Sequence, residues 1–156
     1  MRYLEDFKPG QTFVSGKMSV DAERIKSFAA EFDPQPFHLD DALAVDTLFG
    51  GLAASGWHTA AMTMRLLVDS DLQPAGGIIG AGFDEMKWPR PVRPGDELHV
   101  ESEVLGVRPS ESRSGLGVIK VKSATYNQNG HAVQISIGNL MVRRRPADLI
   151  EQGDES

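Results

Sequence analysis

The segment Gly56-Trp57-His58-Thr59-Ala60-Ala61-Met62-Thr63-Met64-Arg65-Leu66-Leu67-Val68 carries one full charge, Arg65, and after Gly76-Gly77 the chain turns to long stretches of strand character. A helix with almost no polar face has to be covered on most of its sides. Ser55 is placed to cap it. The strands are read at 78–92, 96–107, 116–127 and 131–143. In the second of them Leu98, Val100 and Val104 alternate with Glu97, Glu101 and Glu103, and only Ser102 interrupts the apolar face. Pro94-Gly95 suits a type II turn before this strand, and Asn127-Gln128-Asn129-Gly130 suits a turn between the last two. One buried helix followed by long antiparallel strands leaves few solutions. The expected fold class is α+β, a helix wrapped by a curved sheet.

Upstream of the helix the elements are shorter. Residues 11–18 read as a first strand after the Pro9-Gly10 turn. Ser19 stands where an N-cap is expected, with Asp21 and Glu23 in the first turn. Ile25, Phe28, Ala29 and Phe32 then follow at helical spacing. Pro34 disfavours helical geometry at Asp33, so this helix should stop there. Asp40 or Asp41 is placed to cap a short helix through Leu43 to about Leu48, which Gly50-Gly51 breaks. There is no internal repeat and no low-complexity linker, and 156 residues suit one domain, read as 1–146, with a polar tail over 147–156.

Composition narrows the chemistry. With no cysteine, thiol nucleophiles, disulfides and Cys-based zinc sites are excluded. A net charge of −6 argues against a nucleic-acid partner. No apolar run approaches the roughly 20 residues that cross a bilayer, and the N-terminus lacks the apolar run of a signal peptide. A cytoplasmic setting without membrane contact is the expectation.

Phe32-Asp33-Pro34-Gln35-Pro36-Phe37-His38 is the most informative stretch. Two prolines bracket a single residue, so the backbone there has little freedom. A carboxylate and an imidazole are thus held at fixed spacing on a stiff loop. Hydration of a double bond needs a base for water and a proton donor for carbon, and this pair can fill both parts around one water. Taken singly, each residue has a plain structural alternative: an Asp before Pro ends helices, and a loop His caps carbonyls.

The other candidate is the start of the largely uncharged helix. N–H groups in its first turn lack partners within the helix, and the dipole favours negative charge there. Gly56 presents no side chain, so a ligand carbonyl can approach. Ser55, Gly56 and Trp57 therefore form a candidate oxyanion and substrate site. Equally, Gly56 can serve only to let the helix pack closely.

Three segments in order carry a resemblance. Asp33-Pro34-Gln35-Pro36-Phe37-His38 resembles the Asp-x-Asn-Pro-x-His motif of the MaoC-like dehydratases, which include the (R)-specific enoyl-CoA hydratases, with Gln35 where Asn is usual. Ser55-Gly56-Trp57-His58 resembles the opening of that family's central helix, and Trp88-Pro89-Arg90-Pro91-Val92-Arg93-Pro94-Gly95-Asp96 its strand and Pro-Gly-Asp turn. The resemblance covers about residues 5–145. It implies a hot-dog fold and a hydratase or dehydratase acting on a 2-enoyl or 3-hydroxyacyl thioester of coenzyme A or acyl carrier protein. It also implies Asp33 and His38 as the catalytic pair, the Gly56 N–H on the thioester oxygen, and a homodimer or higher homo-oligomer with the acyl tunnel at the subunit interface. No cofactor is implied beyond coenzyme A as part of the substrate.

Other residues are weighed against simpler roles. Arg90, Arg93 and Arg143, with Lys87, are candidates for the phosphates of coenzyme A; a solvated strand end is the default reading for the run Arg143-Arg144-Arg145. His58 reads as a satisfied core histidine, His99 and His131 as solvent-facing, and Trp57 and Trp88 as packing residues. No metal-ligand spacing is present. Two further functions stay open: a thioesterase on the same fold, and a non-catalytic acyl-CoA-binding protein.

Overall fold

The computed structural model describes residues 1–147. Except for Ala147, the expected polar tail over 147–156 lies outside the described residues. Six antiparallel strands form one sheet: β1 (Thr12–Val14), β2 (Met18–Ser19), β3 (Ile79–Lys87), β4 (Glu97–Pro109), β5 (Leu116–Tyr126) and β6 (Ala132–Arg143). Their order is β1-β4-β5-β6-β3, with β2 also on β4. The described residues also form a short 3-10 helix (Leu4–Asp6) and the α-helices α1 (Ala22–Phe32), α2 (Pro36–Leu39), α3 (Asp41–Ala44) and α4 (Gly56–Val68). This is the α+β hot-dog arrangement, with α4 lying against the sheet.

The strand alternation works as the sequence implies. Leu98, Val100 and Val104 are buried, and Ser102 keeps its place on that inner face by sharing a hydrogen bond with Ser123 of β5 at 2.9 Å. The Arg93–Asp96 turn closes with Asp96 N–H donating to Arg93 O at 3.1 Å, and Gly95 takes the φ of +88° that the turn requires. Gly130 likewise closes the β5–β6 turn onto Asn127 O.

Several expectations are corrected. The first strand is split into β1 and β2 by Ser15-Gly16-Lys17, where the Ser15 hydroxyl accepts from Val100 N–H. Ser19 is not the cap of α1: it pairs with Glu97 in the sheet, and Asp21 accepts the Arg24 N–H instead. Phe32 lies at helical spacing yet is exposed, packed on Phe28. The stiff loop after Asp33 is one helical turn, α2, started by Pro36 at its first position. α3, capped by Asp40, ends at Ala44 rather than near Leu48. β3 stops at Lys87, before the prolines that cannot pair, and carries two bulges.

α4 is capped by Ser55 as expected, but it is not buried all round. His58, Thr59, Met62, Thr63 and Leu66 face the core, whereas Trp57, Met64 and Val68 are exposed. The sheet covers only one side of the helix. The uncovered side runs toward the edge strand β3, where Ile79 and Phe83 are also exposed. Among the described residues no helix is long and apolar enough to cross a membrane.

Candidate active site

Asp33 is the residue that ends α1. Its N–H still donates to Ala29 O, while its own φ and ψ, −150° and 66°, have left the helix. Pro36 then starts α2 at once, and this turn aims His38 back at Asp33. Asp33 Oδ2 lies 3.3 Å from His38 Nε2. The other ring nitrogen, Nδ1, lies 2.6 Å from the carbonyl oxygen of Ala53. A carbonyl only accepts, so Nδ1 carries a hydrogen and Nε2 is the nitrogen presented to the carboxylate. Both simple roles weighed from sequence are therefore filled, and the same two residues still meet: Asp33 ends a helix, and His38 binds a carbonyl.

Gln35 joins the pair. Its side-chain N–H donates to Asp33 Oδ1, and its backbone N–H donates to Asp33 O at 2.8 Å. Burial pushes the Asp33 carboxyl up, but hydrogen bonds from Gln35 and Ser55 and the nearby His38 outweigh it and hold the group below the usual aspartate range. Asp33 is therefore a carboxylate at neutral pH, able to accept from water.

An open cleft of about 530 Å³ lies beside His38, with Phe49, Gly56, Thr59, Trp88 and Arg90 among its walls. The expected helix start thus shares a cavity with the imidazole. The N–H groups of Gly56 and His58 meet no acceptor among the described residues. The Trp57 N–H donates to Ser55 Oγ at 3.3 Å, so of the three expected residues only Gly56 offers a free amide to the cleft. Ser55 is fully buried and acts on Asp33 through its hydroxyl. The Trp57 side chain is exposed and packs edge-on against Trp88. Glycine at 56 also has a packing reason: a Cβ there would lie 2.8 Å from Cδ2 and Cε2 of Trp88.

The basic candidates separate. Arg90 is exposed on the cleft. Arg93 is engaged internally: one terminal nitrogen donates to Gly51 O at 2.9 Å and Leu52 O at 3.2 Å, and the other to Phe49 O. It clamps the segment leading to Ala53, the carbonyl that orients His38. Arg143 lies along Gly76 and is not a wall of the cleft. Arg144 and Arg145 pair at the surface with Glu5 and Asp6 of the N-terminal turn, and Arg143 and Arg144 are exposed at the end of β6, in keeping with the reading of the run as a solvated strand end. Lys87 pairs with Glu85.

Neither the Arg93 clamp nor the Ala53 carbonyl was legible in the sequence. An arginine among prolines looks the same whether it faces solvent or backbone, and a backbone oxygen has no residue signature. His58 is buried as expected but not satisfied. It stacks on Phe28 with ring centroids 4.6 Å apart, and its Nδ1 has no hydrogen-bond partner. Burial, then Arg24, holds its pKa below the ordinary imidazole value, with Asp21 opposing. His131 is exposed, whereas His99 is half-buried against Tyr126. No group of residues suited to a metal occurs among the described residues.

Comparison with known proteins supplies the family. The chain is 36% identical over 139 residues to the uncharacterized protein YdeM of Bacillus subtilis, covering 89% of this chain and 96% of that one. Its fold superposes with a TM-score of 0.90 on the MaoC-like dehydratase from Rhodospirillum rubrum, at 57% identity over 94% of this chain and 99% of the other. It superposes with a TM-score of 0.72 on the R-hydratase PhaJ1 from Pseudomonas aeruginosa, at 26% identity over 92% and 86% of the two chains. The MaoC like domain family itself matches residues 6–127, the span that holds Asp33, His38, Gly56 and the Pro94-Gly95 turn, and so this chain belongs to the MaoC-like family of hot-dog hydratases and dehydratases.

Proposed function

We propose that the protein adds water across the double bond of a 2-enoyl thioester, or removes it from the 3-hydroxyacyl form. The observation that carries this reading is the approach of Asp33 Oδ2, at 3.3 Å, to Nε2 of His38, a residue that lines the same cleft as Gly56, although Asp33 is not itself one of the cleft's walls. A water bound by both side chains has its hydrogen directed at a carboxylate held in its ionised form. One member of the pair takes a proton from that water as its oxygen bonds to C3. The electrons of the double bond move toward the thioester oxygen, where the Gly56 N–H and the start of α4 stabilise the enolate. The pair then returns a proton to C2. In sum one hydrogen and one hydroxyl are added, and dehydration reverses each step.

Coenzyme A enters as part of the substrate, with Arg90 as the cationic side chain at the cleft for its phosphates; an acyl carrier protein presents the same pantetheine arm. A second copy of the chain is the fitting cover for the exposed apolar residues of α4 and for the unpaired edge of β3, giving a homodimer with two sheets joined edge to edge. The similarity to an R-hydratase supports the reaction type.

The test is to offer 2-enoyl-CoA substrates of rising length and follow the enoyl absorbance. Loss of that absorbance on addition of enzyme is the expected result. Release of free thiol with the double bond intact would replace this reading by thioester hydrolysis, and tight binding without turnover by a carrier role.

A further inference from the structure

Two cavities open on adjacent sides of α4, and one side chain touches the walls of both. The first is the cleft beside His38, to which the helix contributes Gly56 and Thr59. The second is an apolar cavity of about 200 Å³ between the helix and the sheet, walled by Trp57, Thr63, Met64, Phe83, Gln134 and Leu140 among others. Trp88 lies against Gly56 on the first side. Its ring stands 5.3 Å from that of Trp57 on the second. Its indole N–H donates to Gln134 Oε1 at 3.0 Å. Gln134 is 2% exposed, near the start of β6, so this bond crosses from the loop after β3 to the floor of the inner cavity. An indole nitrogen can only donate, which fixes the amide oxygen of Gln134 toward Trp88.

We propose that Trp88, latched to Gln134, is a gate on acyl-chain length, and that the apolar cavity behind it takes the distal methylenes of a longer acyl group. The inference rests on the hydratase reading of the cleft. With the latch made, the indole stands where an acyl chain leaving the cleft would pass between Trp57 and the sheet, and short acyl groups are favoured. A neutral hydrogen bond is a weak latch, so its removal opens the inner cavity to chains whose burial is favourable. A hydrocarbon chain is the occupant that fits. The walls are chiefly apolar, the cavity adjoins the reacting centre, and the polar groups at its floor are in part already paired, as in Thr63 with Thr125 and Ser102 with Ser123.

The test compares wild type with Gln134→Met, which keeps volume and removes the acceptor, and with Trp88→Phe, which keeps a ring and removes the N–H. Thermal melting checks that each is folded. Wild type should show a steep fall in kcat/KM from a four-carbon to an eight-carbon 2-enoyl-CoA. Both variants should raise the eight-to-four-carbon ratio of kcat/KM about tenfold, chiefly through KM. A ratio unchanged in both variants, or a wild type indifferent to chain length, overturns the gate. Calorimetric binding of a saturated eight-carbon acyl-CoA separates this from the parent reading, since it needs no turnover. Tighter binding by both variants supports the gate even if no enoyl substrate is hydrated, and equal affinity in all three proteins refutes it even if hydration is fast. Equal affinity is also the result expected if side chains of a second copy fill the cavity.

Discussion

His38 and His58 are both buried imidazoles near the start of α4, 4% and 8% exposed, yet their surroundings differ in every respect that matters for chemistry. His38 has a partner on each nitrogen, a carbonyl on Nδ1 and a carboxylate on Nε2. His58 has an aromatic ring on its face and nothing on Nδ1. The first is placed to serve as the proton carrier of the proposed reaction, because the anchor fixes its tautomer and turns Nε2 toward the carboxylate. The second is held neutral by burial and only fills space. Burial of a histidine is therefore not a sign of function; the partners of its two nitrogens are.

The largest effects should come from breaking the first environment at its centre. Asp33→Asn or His38→Gln should lower turnover about 10²–10⁴-fold with an unchanged circular dichroism spectrum, and near-normal activity in either variant would remove the pair from the mechanism. Breaking the same environment from behind should cost less. Arg93→Met removes the donors to Phe49, Gly51 and Leu52 carbonyls, and should destabilise the fold by about 3 kcal/mol in urea titration. It should also slow turnover about tenfold as the Ala53 carbonyl loses its position.

A smaller effect should sharpen the role of Gln35. Its hydrogen bond is one of those that hold the Asp33 carboxyl low, so Gln35→Leu should move the acid limb of kcat/KM to higher pH while leaving the plateau within about threefold of wild type. An acid limb that stays in place would mean that Ser55 and His38 suffice. The sign for stability follows from the same shift. A carboxyl with a depressed folded pKa contributes stability that is present above its unfolded value, about 3.9, and is lost as pH falls through the folded value. Gln35→Leu should therefore reduce the acid sensitivity of the fold below about pH 4.

The smallest effect should come from the second environment. His58 has a folded pKa below its unfolded value, so the unfolded chain binds the proton first, and stability declines as pH falls from about 6.5. His58→Phe should keep full activity at neutral pH and flatten the decline of Tm between pH 7 and 5. A loss of turnover in this variant would erase the contrast between the two histidines.

How much could be read without the structure varies with the range of the interaction. The cap at Ser55, the end of α1 at Asp33, the alternation in β4 and the turn at Pro94-Gly95 are visible because each depends on residues within a few positions. The rest is ambiguous or invisible in sequence where a distant partner decides. Ser19 looks like a cap until β4 claims it as a strand residue. Arg93 and Arg143 look equally suited to a phosphate, but one is turned onto carbonyls 41–44 residues away and the other lies along Gly76. The apolar α4 looks largely buried, yet a single chain covers only one of its sides.

The sequence by itself determined that a carboxylate and an imidazole stand five positions apart in a proline-restricted segment, ahead of a largely apolar helix and four strands. Local sterics and periodicity settle such features before any long-range contact forms. Only the tertiary structure decided which nitrogen of His38 faces Asp33, because that choice belongs to a carbonyl 15 residues away. It also decided that Trp88 reaches Gln134 across 46 residues. Both depend on strand register and on how the loops between α2 and α4 are clamped, and neither is encoded in any short window of the chain.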